Sequence, residues 1–205
     1  MLLLLKSEVT MIKTIYLNDN DILTAKKFSK ECVSTNIDKY ASRNQHDIHI
    51  IKNQIFIGKI GEYAVYRFLK QYGLNVTKPD VKIYSHIKNW DADLKLDNLK
   101  IHVKSQYVKQ SQLFGTSWTF QCGVNDKDKL FTNYDDNDYI SFVKVFDEYV
   151  EIYSIIPFKT LCEKNLFKNP LKDSLKNKKK VVYKKDLTRM GKFNWSYFKE
   201  KLNDF

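Results

Sequence analysis

The sequence predicts an α/β fold, a central mixed β-sheet flanked by helices, and three observations carry that prediction. Apolar residues recur at helical spacing before Pro79, short alternating runs follow it, and helical segments return after Pro157. Helices, then a run of strands, then helices over them is a layered α/β pattern. The chain has 205 residues, 43% hydrophobic and 14% aromatic, which is enough to bury a core around a sheet as one domain. That composition argues for a folded globule and against a disordered chain.

The elements follow in order. Asp21 is placed to cap a helix running to about Tyr40, with Ile22, Ala25, Phe28, Ser29 and Cys32 on one side. A second helix is expected from Gln54 to Gln71, because Ile57, Ile60, Gly61, Ala64, Val65, Phe68 and Leu69 share a face and Gly73 supplies a stop. Gly58 and Gly61 would let that helix approach the sheet. Beyond Pro79, residues 93–96 and 99–107 alternate around Asp97-Asn98, a turn-forming pair that joins them as a hairpin. Residues 117–122 read as another strand, and 139–146 with 149–156 as a further hairpin. Between them 125–138 is polar, a short helix with a loop. After Pro157 come a short helix near Leu161, a Lys-rich stretch to Lys180, a brief strand at 181–183 and a terminal amphipathic helix around Trp195 to Leu202. Trp118, Phe120, Trp195 and Phe198 fit core positions by their periodicity.

A formal charge of +11 and a sequence pI near 9.3 point to a polyanionic partner. Cys32, Cys122 and Cys162 are widely spaced with no CxxC pair, which fits reduced thiols in the cytoplasm better than a disulfide scaffold or a zinc knuckle. The apolar run Leu2 to Leu5 is too short for a membrane span or a signal-peptide core. Met11 is an alternative start, which would make residues 1–10 an extension. His46, His49 and His86 have no ligand-type spacing.

The stretch IHVKSQ, residues 101–106, puts Ile101, Val103 and Ser105 on one face of a strand and His102, Lys104 and Gln106 on the other. Folding the hairpin at Asp97-Asn98 brings Asp91 and Asp93 within reach of His102 and Lys104. Glu62, beside the apolar stripe of its helix, joins them if that helix packs on the same sheet face.

The segments GKIGEYAVYRFL (58–69), DADLKL (91–96) and IHVKSQ (101–106), in this order and spacing, resemble the PD-(D/E)XK nuclease superfamily, with its restriction-endonuclease-like fold. DYISFVKV (138–145) and YVEIYSIIPF (149–158) are similar to the later core strands of that family, so the resemblance covers about residues 54–158. It implies a single nuclease domain over 1–205, with an N-terminal helical extension at about 11–53 and a basic C-terminal region at about 159–205. By that match Glu62, Asp93 and Lys104 fall on the helix carboxylate, the metal-binding carboxylate and the catalytic lysine. His102 stands where the family has Glu or Gln. Glu62, Asp93 and His102 are then the implied metal ligands, for Mg²⁺ or, given an imidazole, Mn²⁺. The implied activity is metal-dependent hydrolysis of DNA by a phage or restriction-system endonuclease in the cytoplasm, the host cytoplasm if phage-encoded, with a homodimer allowed. A catalytically inactive nucleic-acid-binding protein of the same fold, an RNA-directed nuclease and a junction resolvase are the alternatives. On the nuclease reading Gln106, Lys176, Lys178, Lys179 and Lys180 are expected along the DNA backbone.

Overall fold

The computed structural model describes residues 12–41, 45–84, 91–123 and 127–188. The expected terminal helix, with Trp195 and Phe198, and His86 lie outside the described residues. Strand β1 (Lys13–Ile15) leads into α1 (Asp19–Ala41) and α2 (Ile48–Gln71). Helix α1 begins two residues before the expected cap. The Asn18 side chain accepts from the Asp21 N–H at 2.9 Å, so Asn18 takes the capping role that the sequence reading gave to Asp21. Asp21 is instead 2% exposed and accepts two bonds from Arg67, at 2.6 and 2.8 Å, which tie α1 to α2. Helix α2 starts earlier than its apolar stripe implied, because Asp47 caps it by accepting from the N–H groups of His49 and Ile50 at 2.8 and 3.1 Å.

The expected hairpin is present as β2 (Leu94–Leu96) and β3 (Leu99–Tyr107), with Asp97 at φ 51° in the turn. Strands β5 (Asp138–Val145) and β6 (Val150–Pro157) complete a five-stranded sheet of order β1-β6-β5-β3-β2. It is mixed: β3 and β5 run parallel, and the other pairs are antiparallel. A parallel pair needs a long crossover. Here that crossover carries α3 (Val108–Phe114), β4 (Ser117–Gln121) and α4 (Leu130–Asn133).

Both faces of the sheet are covered. Ile101, Val143 and Val145 pack with Ile57, Ile60, Ala64 and Phe68 of α2. On the other face, Ile140 and Phe142 pack with Trp118, Phe120, Leu130, Phe158 and Val182. That second layer is more than the helices the sequence implied. An antiparallel ribbon of β4 and β7 (Lys179–Tyr183) lies there, with α5 (Phe158–Glu163) and α6 (Lys184–Thr188) following in the chain order around it. Trp118 and Phe120 are core residues, each 1% exposed, and the Trp118 indole donates to the Val143 carbonyl at 2.7 Å, beside the register shift at Phe142/Val143. Of the two helix glycines only Gly61 marks a close approach. A Cβ there would lie 2.1 Å from Ser105 Oγ and 2.8 Å from Val143 Cγ2, whereas Gly58 faces open space.

Candidate functional site

The contact between Gly61 and Ser105 fixes which face of β3 meets α2. Ser105 and Val103 turn toward the helix, so by strand alternation His102, Lys104 and Gln106 turn toward the β4–β7 layer. Their partners agree. Lys104 Nζ lies 2.6 Å from Asp128 Oδ2 and 4.6 Å from the centre of the Phe120 ring. His102 is 4% exposed, and its Nε2 lies 2.7 Å from Asp138 Oδ1. Gln106 donates to the Gly115 carbonyl and accepts from the Ser117 N–H, both at 3.0 Å.

The two acids lie elsewhere. Glu62 sits on α2 with its carboxylate 2.6 Å from the Lys59 ammonium, a pair three residues apart on one helix face. Lys59 is itself buried and also donates to the Asp80 carbonyl at 2.7 Å. Asp93 lies just before β2, and its Oδ2 accepts from the Val103 N–H at 2.7 Å. The β3 ladder beyond Ile101 has no β2 partner, so this carboxylate closes an open sheet edge. Burial pushes the Glu62 carboxyl up to about 8; the Asp93 charge, and to a smaller extent that of Asp80, adds to this, while Lys59 opposes it.

The structure thus brings Glu62 and Asp93 within electrostatic reach of each other, with Lys59 in contact, and leaves His102 and Lys104 across the sheet on Asp138 and Asp128. Among the described residues, no three His, Cys, Asp or Glu side chains form a group that could hold a metal ion. A cation here would have two carboxylates and water, without His102. Asp91 is exposed and lies 2.9 Å from Lys95.

The remaining expected nucleic-acid contacts divide. Gln106 is 7% exposed and spent on Gly115 and Ser117, so it is not placed to meet a phosphate. Lys178 is exposed. Lys176 pairs with Asp173 at 2.6 Å, and Lys180 donates to Asn169 at 3.0 Å. Lys179 is half-buried in β7.

Sequence reasoning missed Lys59, Asp80, Asp128 and Asp138. The spacing of Lys59 to Glu62 was a readable signal for the first. The other three pair across 21 to 36 residues and gave no local sign. A cavity of about 260 Å³ opens between Phe56, Ile60, Tyr107, Phe146 and Tyr149, and its lining includes none of the expected catalytic residues. No protein-family model, curated protein or solved structure matches this chain.

Proposed function

We propose that the chain is a metal-dependent deoxyribonuclease with a restriction-endonuclease-like core, acting through Glu62 and Asp93. One observation carries this reading. The Glu62 carboxyl is buried and is pushed up to about 8, by that burial first and then by the charge of half-buried Asp93. A hard dication relieves that conflict, and oxygen donors with retained water are the set Mg²⁺ prefers. When bound, such an ion polarises a phosphate and lowers the pKa of an attacking water. The Val103 N–H fixes one oxygen of Asp93, the inner ligand in this reading. Lys59 orients the Glu62 carboxylate and offsets negative charge beside it. The charge of +11 supports DNA as the substrate.

Lys104 and His102 have structural roles in this reading, since His102 is held by Asp138 of the neighbouring strand β5 and Lys104 by Asp128 beyond β4. The test is cleavage of supercoiled plasmid with Mg²⁺ and with Mn²⁺, alongside linear duplex, single-stranded DNA, RNA and a four-way junction. Asp93→Asn should lower the rate by on the order of 100-fold or more, and chelator should abolish it. Lys104→Gln should stay within a few-fold of wild type. Full activity in chelator would remove the metal mechanism.

A second reading is a nucleic-acid-binding protein of the same fold without turnover. It is favoured by the commitment of both His102 and Lys104 to contacts with largely buried carboxylates. Metal-independent binding with no product under either ion would select it.

A further inference from the structure

Among the described α-helices, α3 packs least into the core. It buries none of its seven residues, and Leu113 and Phe114 at its end are 77% and 47% exposed. So short a helix has little stability of its own. It is presented by its base: Gln106 closes the excursion between β3 and β4 with its bonds to Gly115 and Ser117, and Gly115 makes the turn at φ 72°.

The segment that carries this apolar tip has charge of one sign. Residues 98–125 contain no Asp or Glu. Lys109 on α3 is exposed, with its Nζ 5.8 Å from the Tyr107 ring centre. The N–H of Lys184 bonds to the Thr116 carbonyl at 3.0 Å, and its Nζ lies 4.9 Å from the Tyr153 ring. The acids closest to these tyrosines, Asp147 and Glu151, accept from the Tyr107 and Tyr153 hydroxyls. Ammonium groups on the segments that flank an apolar tip suit a nucleic acid: phosphates meet the lysines, and an unstacked base meets the tip. A protein partner is disfavoured, because a tip of two apolar residues is far below the area of a stable interface and lysine is depleted in such interfaces.

We propose that α3 is a wedge for unpaired nucleic acid, in which Leu113 and Phe114 pack against an unstacked base while Lys109 and Lys184 hold the flanking phosphates. The proposal rests on the nucleic-acid reading above and adds a preference for single-stranded or bulged substrate. Fluorescence anisotropy in chelator, with labelled single strand, perfect duplex and bulged duplex, tests it. The L113A/F114A variant should keep a melting temperature close to wild type, because neither side chain is buried in the core. It should bind single strand and bulge on the order of tenfold more weakly, with duplex affinity within about twofold of wild type. The K109Q/K184Q variant should weaken binding to all three and reduce the log-log salt slope by about 1 to 2.

Wild-type affinity of L113A/F114A for every probe would overturn the wedge. So would loss of a wild-type dimer in that variant with binding unchanged, which would assign the tip to self-association. If wild type binds and cuts DNA while the tip variant is indifferent, the wedge alone falls. A wild-type chain that binds none of the probes removes the wedge and the nuclease reading together.

Discussion

At the scale of single residues, Glu62 concentrates the chemistry. Its carboxyl ordinarily titrates near 4.5 and is pushed up to about 8 in the fold, by burial first and by Asp93 second. Between those values the folded chain holds a proton that the unfolded chain has lost. Stability of the metal-free protein should therefore be full below about pH 4.5 and fall as pH rises toward 8, by roughly 3–5 kcal/mol. Glu62→Gln has no proton to lose, so it should flatten that slope and be the more stable protein at pH 8. Urea denaturation in chelator at pH 5 and pH 8 measures both; equal slopes for the two proteins would mean that Glu62 is not the titrating group. Lys59 is accommodated in its buried position by hydrogen bonds to Glu62 and to the Asp80 carbonyl, and an amide oxygen in Glu62→Gln can still accept the first.

At the scale of elements, the packing of α2 on β3 decides which residues meet. Gly61→Ala puts a methyl 2.1 Å from Ser105 Oγ and 2.8 Å from Val143 Cγ2, an overpacking that should cost about 1–3 kcal/mol. Adding Ser105→Ala should recover part of the loss, read as a partial return of the melting temperature; no recovery would mean that Val143 sets the clash. Arg67→Ala strips the counter-ion from buried Asp21 and should destabilise by about 2–4 kcal/mol, less than for a fully enclosed pair because Arg67 is partly exposed. A thermal melt unchanged by that substitution would mean that the pair does not tie α1 to α2. Much of this level is legible in the sequence. The stripe from Ile57 to Leu69 gives α2, and Asp97-Asn98 gives the hairpin. The alternation in IHVKSQ also reads correctly, with His102, Lys104 and Gln106 sharing a face. What did not follow is the face that meets Glu62. A strand covered on both sides carries no simple inside-outside label, yet a signal was present: an apolar helix stripe packs on Ile101, Val103 and small Ser105, and not on three polar tips.

At the scale of the whole molecule, the β4–β7 layer and the charge matter most. Ser117–Gln121 and Lys179–Tyr183 are each recognisable as strands. Their pairing spans most of the C-terminal half, and no local pattern announces it. Asp128, in the connection after β4, meets Lys104 on the side of the sheet away from the acids. Among the described residues no helix is long and apolar enough to cross a membrane. The Lys-rich stretch should act on affinity without reading sequence: replacing Lys172 and Lys178 by Gln should weaken DNA binding uniformly and lower the salt slope by about 1 to 2. An unchanged slope would take that stretch off the DNA path. The account as a whole stands on the cation site, and titration of the protein with Mn²⁺, followed by the loss of the free-ion electron paramagnetic resonance signal, tests it most directly. It predicts one bound ion in wild type, affinity lowered on the order of 10- to 100-fold by Asp93→Asn, and little change in Lys104→Gln. Mn²⁺ held as tightly by Asp93→Asn as by wild type would contradict it.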